Sequence, residues 1–296
     1  MTARPAIVQE QFPLARLTTI GTGGAARFFA RPADEETLRD CLAWAVAEGL
    51  AVRVVGLGSN LLPADSGFDG LVLRLDGALA AIEIDAPLVR CGGGASLAAI
   101  VSKTRDAGLS GIEFGCAIPG TVGGAVRMNA GAYGREMREP LVEAVVVSAT
   151  GTRSGGPGEL GLRYRGSDIR PDEVVAHAVL RLTPADPLEI RATIRGMQDL
   201  RTAAQPRKAR TFGSVFKNPP GDRTSGQLLE ACGLKGFAIG GARISPRHAN
   251  FIENDGTATS ADVVRLMAEA RRRAREQFGV ELEHEVELLG DIRIPD

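Results

Sequence analysis

The sequence predicts an α+β protein of more than one domain, and three observations carry that prediction. Its 296 residues exceed what one core organises at about 150 residues per domain. Amphipathic helical periods are interspersed with short apolar runs of strand type over the first two thirds. Beyond Gln205-Pro206 the texture changes to short elements around one long helix. A domain boundary is expected there.

Residues 34–49 read as a helix, with Asp34 as cap, acids in the first turn, a stripe of Leu38, Leu42, Ala45 and Val46, and Gly49 as stop. A short strand then enters the glycine loop of VRVVGLGSNLL, and GLVLRL (70–75) follows as a strand. Further strands are expected at 82–84 and 88–91, and a second helix over 95–111 ending at Gly108. Residues 111–134 are rich in Gly and Ala and show no period. LVEAVVVSATG (141–151) and EVVAHAVLRL (173–182) read as strands of a sheet, and 187–203 as a helix. In the last third, FGSVFKNPPG (212–221) is expected as loop and strand, 225–233 as a short helix and 249–254 as a strand. A helix from Ser260 carries Val263, Met267, Ala270, Ala274 and Phe278, and the period-two run VELEHEVELLG closes the chain.

A net charge of −1 creates no field that would recruit nucleic acid or an anionic membrane. Arg271, Arg272, Arg273 and Arg275 have no interleaved aromatics and read as a solvated helix face. Cys41, Cys91, Cys116 and Cys232 are scattered and form no CxxC, so free thiols are expected and no metal site. The N-terminus lacks the apolar core of a signal peptide, and no stretch approaches 18 apolar residues. A cytoplasmic protein is expected.

Gly56-Leu57-Gly58-Ser59-Asn60-Leu61 is not a dinucleotide fingerprint. Leu61 stands where the third glycine belongs, and the loop leads toward Pro63 and a strand, with no helix to follow. By itself it suits an ordinary tight turn as well as an anion-binding nest. The second loop, Pro119-Gly120-Thr121-Val122-Gly123-Gly124, is followed by Met128-Asn129-Ala130-Gly131-Ala132. Two such runs of tiny residues leave room for a large flat ligand with phosphates on exposed amides. No GxxxxGK[ST] is present.

GLGSNLL (56–62), IPGTVGGAVRMNAGAYG (118–134), YRGS (164–167), GSVFKNP (213–219) and LEHEV (282–286) occur in the order and spacing of the UDP-N-acetylenolpyruvoylglucosamine reductases. The chain resembles that family, in its shorter length class, from about Leu17 to Gly290. The resemblance implies a two-subdomain FAD-binding fold of the vanillyl-alcohol oxidase type, with subdomains 1–76 and 77–204, and a substrate-binding domain at 205–296. FAD would be held by Gly56, Gly58, Ser59, Asn60, Leu61, Pro119, Gly120, Thr121, Gly123, Gly124, Asn129 and Gly131. NADPH and a UDP-sugar would be the small-molecule partners, and a monomer is expected. Another FAD-dependent oxidoreductase of this fold, or a silent FAD- or UDP-sugar-binding protein, is the alternative. The silent protein should lack a catalytic residue.

The implied reaction delivers hydride to an enolpyruvyl methylene, so negative charge develops toward the carboxylate and the adjacent carbon must be protonated. The resemblance assigns the proton to Ser214. Arg165, with its permanently charged fork, suits the carboxylate and the developing charge. Glu281, Glu283, Glu285 and Glu287 share one face by periodicity, which cannot choose among them. The resemblance chooses Glu285. Lys217, Asn218 and His248 are expected at substrate, and His284 as a core histidine. Thr211-Phe212 and Arg243 depart from the family pattern. A Phe at 212 is expected to reshape the pocket mouth, and Arg243 to alter contacts on its side.

Overall fold

The computed structural model describes residues 3–206 and 209–295. The chain divides into two units, one of Met1–Glu10, Phe28–Leu57 and Gly70–Arg201, the other of Gln11–Arg27, Gly58–Asp69 and Thr202–Asp296.

In the first unit the expected helix forms as α1 (Glu35–Ala47). Asp34 accepts from the Thr37 N–H at 2.8 Å, and Gly49 takes a φ of 66° beyond the last turn. Its buried stripe is Leu38, Cys41, Leu42, Trp44 and Ala45, whereas Val46 is 64% exposed. One residue past Ala45 is about 100° around the helix, which carries Val46 off the core face. Trp44 stays buried because its ring meets Phe28 edge-on at 5.0 Å. Ala51–Val54 pairs in parallel with residues 70–73.

The main sheet of this unit is antiparallel, in the order Gly151–Gly155, Leu141–Ser148, Val174–Arg181, Leu88–Gly92, Ile82–Asp85. Val145 pairs with His177 but Val146 with Val175, so Ala176 is a bulged extra residue. Val174 and Ala176 therefore join the α1 core, while Ala178 and Leu180 face the opposite core with Val175. Strict alternation along this strand fails for that reason. Opposite α1 lie α2 (Leu97–Asp106), capped by Ser96, and α3 (Val122–Arg127). The α3 segment is the surprise: a stretch without period contains a helix whose Gly123 and Gly124 conceal its pattern. The α4 helix (Pro187–Ala204) buries Ile190 and Ile194.

Arg153 donates to both carboxylate oxygens of Glu173, each at 2.9 Å, and holds that carboxyl down to about 2. A depressed folded-state value stabilises above the unfolded value of 4.5, and that contribution is lost as pH falls from 4.5 toward about 2. Urea denaturation at pH 7 and pH 3 should show a smaller acid destabilisation in Glu173→Gln than in the parent chain. Equal acid sensitivity of the two would refute the assignment. Cys41, Cys91 and Cys232 are buried and Cys116 half-buried, all as free thiols. Desolvation pushes Cys41 up to about 11 and Cys91 to about 12.

The second unit holds an antiparallel sheet of Ala238–Ile239, Ala242–Ile244 and Ile252–Asn254. It also contains α5 (Ser225–Ala231) and α6 (Ser260–Phe278). Val263, Met267, Ala270 and Ala274 of the expected stripe are buried, and Phe278 is half-buried. A Thr259/Asp262 capping box starts α6, and the Asp65 carboxylate accepts from the Ser260 and Ala261 amides at 2.8 and 2.9 Å. Three of the four arginines of the run are spent in ion pairs. Arg272 reaches Glu269 and Glu276, Arg273 reaches Glu269, and Arg275 lies 3.6 Å from Glu281. The closing alternation becomes a strand only at Glu287–Leu289, parallel to Leu61–Pro63. Residues 212–221 form no continuous strand, only single bridges of Ser214 to Phe251 and Phe216 to His284. Among the described residues, no helix is long and apolar enough to cross a membrane.

Candidate active site

The first unit brings the second glycine loop and the YRGS turn together. The Gly123 N–H donates to the Gly93 carbonyl at 2.8 Å, the Val122 N–H to Ala95 at 2.9 Å, and the Leu97 N–H to Gly120 at 2.9 Å. The loop is thus laid on the Gly92-Gly93-Gly94 run, which sequence reading did not single out. The signal was three consecutive glycines between a strand and a capped helix. A Cβ at Gly93 would lie 1.8 Å from the Val175 carbonyl oxygen, so the backbones touch there.

Not every glycine of the loops is bare for a ligand. A Cβ at Gly56 would fall 2.5 Å from Thr121 Oγ1, and one at Gly123 would fall 3.0 Å from the Gly93 carbonyl oxygen. Gly120 and Gly124 differ. A Cβ there would find only the Ile118 and Leu97 side chains at 3.8 Å and Thr121 Oγ1 at 3.7 Å, respectively.

Asn129 is fully buried at a φ of 40°, and its side chain is committed to the chain itself. It donates to Glu136 at 2.8 Å and to the Arg163 carbonyl at 3.1 Å, and accepts from the Arg138 N–H at 2.9 Å. Asn129 therefore ties the loop to the turn that carries Arg165. That turn closes through reciprocal Arg163 and Gly166 backbone bonds of 3.0 and 3.1 Å, with Arg165 at a φ of 53°. The Arg165 guanidinium donates to the Gly131 carbonyl at 3.0 Å and lies 4.9 Å from the Tyr164 ring centroid. Gly131, Asn129 and Arg165 are thereby one constellation.

The second unit assembles Ser214, Glu285, Ser59, Asn60, Lys217, Asn218 and His248. The Glu285 N–H donates to the Val215 carbonyl at 2.8 Å, and the Lys217 N–H to Glu283 at 2.9 Å. The catalytic candidates Ser214 and Glu285 therefore sit on adjacent extended segments. Asn60 buttresses them, donating through Nδ2 to the Glu285 carbonyl at 3.1 Å and accepting from the Glu287 N–H at 3.1 Å. Gly213, at a φ of 84°, would place a Cβ 3.6 Å from the Ser59 carbonyl oxygen.

Glu281, Glu283 and Glu287 are exposed and Glu285 is half-buried. Burial thus singles out one of four acids that periodicity could not. The Lys217 ammonium pairs with Glu283, and Asn218 Oδ1 accepts from the Ser225 N–H at 3.1 Å. His248 accepts at Nδ1 from the Asn250 N–H at 3.2 Å and meets Phe251 edge-on at 4.9 Å. Desolvation and the nearby Lys235 lower its pKa, so it is neutral at pH 7 with its proton on Nε2. His284 is half-buried, and desolvation lowers its pKa.

One expectation about the departures needs correction. Phe212 does not shape a pocket mouth. It is 1% exposed and packs in the core with Val215, Phe216 and Leu282. Arg243 forms a cross-strand ion pair with Glu253 at 2.7 Å, its register partner.

Comparison with known proteins identifies the family. Residues 205–289 match the family model "UDP-N-acetylenolpyruvoylglucosamine reductase, C-terminal domain", and residues 26–154 match "FAD binding domain". A relative from Symbiobacterium thermophilum, UDP-N-acetylenolpyruvoylglucosamine reductase 2, is 43% identical over 288 residues, covering 97% of this chain and 93% of its own. The reductase of Sphingopyxis alaskensis is 44% identical over 282 residues, covering 95% and 94%. The crystal structure of the Thermus caldophilus reductase superposes with a TM-score of 0.83 at 36% identity, covering 95% of this chain and 98% of that one. The expected α+β class, with an FAD-binding fold and a C-terminal region of its own, is found. With this identity sustained over nearly its whole length, the chain belongs to the UDP-N-acetylenolpyruvoylglucosamine reductase family, flavin-dependent oxidoreductases that use FAD and NADPH.

Proposed function

We propose that this chain reduces UDP-N-acetylglucosamine enolpyruvate to UDP-N-acetylmuramate with Ser214, Arg165 and Glu285 as its catalytic residues, acting as a cytoplasmic monomer in peptidoglycan precursor synthesis. The observation that carries the reading is the Glu285 N–H to Val215 carbonyl bond of 2.8 Å, which holds the Ser214 and Glu285 segments side by side. Segments 1–76 and 77–204 form the two FAD subdomains and 205–296 the substrate domain.

The residues present suit FAD. Gly120 and Gly124 leave backbone that a side chain would otherwise cover, and α3 begins between them. By the family resemblance, FAD contacts are also assigned to Gly56, Gly58, Ser59, Asn60, Leu61, Pro119, Thr121, Gly123, Asn129 and Gly131. Bound FAD supplies the hydride relay from nicotinamide to the enolpyruvyl methylene.

The chain's own part is charge and proton control. Arg165 offers a permanent cation to the carboxylate on which negative charge grows. The Ser214 O–H gives its proton to the carbon next to that carboxylate, completing addition of hydride and proton across the double bond, and recovers a proton from solvent. Its hydroxyl is not consumed by a hydrogen bond among the described residues. Glu285 assists that transfer. Lys217, Asn218 and neutral His248 bind the UDP-sugar. The presence of all three catalytic residues argues against a silent binder, and the absence of His from both glycine loops argues against a covalently tethered sugar oxidase.

The direct test is to purify the protein with its flavin, reduce it with NADPH and add UDP-N-acetylglucosamine enolpyruvate. Return of the oxidised flavin spectrum on adding the enolpyruvyl sugar is expected. A flavin that stays reduced would overturn the reading. Gly124→Ala supplies a second check, because the new methyl meets nothing closer than 3.7 Å and Ala is the better helix former by up to about 1 kcal/mol. The FAD-free variant should melt no lower than the parent, while its FAD affinity falls about tenfold or more by titration. Unchanged FAD affinity would remove Gly124 from the cofactor cradle.

A further inference from the structure

The segment carrying Ser214, Lys217 and Asn218 is held as a central strand for only part of its length. On one side it is bonded continuously, through Glu285 N–H to Val215 and Lys217 N–H to Glu283, at 2.8 and 2.9 Å. On the other side the pairing begins regularly, with Ser214 bridged to Phe251 and the Val215 N–H donating to the Asn250 carbonyl at 2.9 Å. The ladder goes no further, because the Phe251 N–H closes a turn onto the His248 carbonyl at 3.0 Å. The Val215 carbonyl and the Lys217 N–H face the Glu283–Glu285 segment, so both backbone groups of Phe216 point to the other side, where no further strand backbone meets them.

Both backbone groups of Phe216 would then be buried without a partner, at a cost of about 1–3 kcal/mol each. Asn250 fills the gap with its side chain. Its Oδ1 accepts from the Phe216 N–H at 2.9 Å, and its Nδ2 donates to the Phe216 carbonyl at 2.8 Å. Asn250 is 4% exposed, and its backbone N–H donates to His248 Nδ1 at 3.2 Å. Asparagine is the side chain of this size that supplies a donor and an acceptor from one planar group. Aspartate lacks the donor, and leucine lacks both.

We propose that Asn250 is a positioning residue for the reductase reaction. Its carboxamide replaces the missing strand partner of Phe216 and orients the two peptide planes between Val215 and Lys217, and so the directions of Ser214 and Lys217. Asn250 acts through Ser214 and touches no reacting atom. The inference rests on the reading of Ser214 as proton donor, and its test separates the two.

Ser214→Ala, Asn250→Ala and the double variant are prepared with FAD. Flavin reduction by NADPH and reoxidation by the enolpyruvyl sugar are followed separately by stopped flow. Asn250→Ala should slow reoxidation about 100-fold, the scale of a misplacement of roughly 1 Å, with reduction by NADPH within about threefold of the parent. The double variant should be no slower than Ser214→Ala alone, because a misaimed hydroxyl costs nothing once the hydroxyl is gone. Multiplying losses, an equal loss in flavin reduction, or parent-like reoxidation in Asn250→Ala would each overturn the proposal. Normal reoxidation in Ser214→Ala would instead sink the proton-donor reading, and would show as such in the single variant. Asn250→Asp, with the same volume, runs the same cycle if the alanine variant does not fold. Failure of both to fold would assign Asn250 to stability and overturn the positioning role.

Discussion

Ser214→Ala should leave flavin reduction by NADPH within about threefold of the parent while slowing reoxidation by the enolpyruvyl sugar about 10²–10⁴-fold, the range of one general acid. The asymmetry follows from the division of labour in the proposed reaction. Only the second half demands a proton at carbon, and only there does the serine hydroxyl have a task. The substitution removes one oxygen at a half-buried position whose backbone bridge to Phe251 and flanking Val215 bonds do not involve the side chain. Folding should therefore survive, with a melting temperature near that of the parent. Rapid-mixing traces of the two half-reactions check it. A comparable drop in both would mean that Ser214 supports the fold or the cofactor.

Gly58→Ala should have the largest effect on stability, about 4 kcal/mol or more, seen as loss of soluble protein or a melting temperature lowered by at least about 10 °C. Two costs coincide. Gly58 has a φ of 65°, where a Cβ is strained by about 1–2 kcal/mol. That Cβ would also lie 1.8 Å from the Leu17 carbonyl oxygen and 2.7 Å from Thr18 Cα. The obstacle is backbone, held in place by the Thr19 N–H to Gly58 carbonyl bond of 3.1 Å, so no flexible side chain can yield. A folded, stable Gly58→Ala protein would refute this account. The contrast with Gly124→Ala is instructive, since both glycines stand in motifs read as cofactor loops.

That contrast marks how far the sequence reached into the site. The motifs located both glycine loops, the YRGS turn, GSVFKNP and the acidic end, and all five fall among residues that the structure builds into ordered constellations. Their internal roles were less legible. Gly56, Gly58 and Gly123 meet their own chain closely, whereas Gly120 and Gly124 have room for a Cβ at ordinary contact distance, and composition alone cannot separate the two kinds. Asn129 reads as a ligand contact in the motif, but its amide is wholly occupied by Glu136, Arg163 and Arg138. Periodicity left Glu285 one of four equivalent acids; the resemblance chose it, and among the four it is the half-buried one.

By itself the sequence determined the local elements whose signals are local. The α1 helix followed from Asp34, a 3.6-residue stripe and Gly49; α6 followed from the stripe of Val263, Met267, Ala270, Ala274 and Phe278. It also determined the family, because motif order survives in the chain without any knowledge of contacts. Tertiary structure alone decided whatever depends on a distant partner. The bulge at Ala176, the burial of Phe212, the grasp of Phe216 by Asn250 and the partial burial of Glu285 each rest on chain segments far apart in sequence. Periodicity reports which side a residue faces, but a hydrogen bond or a close approach exists only once the second segment has arrived.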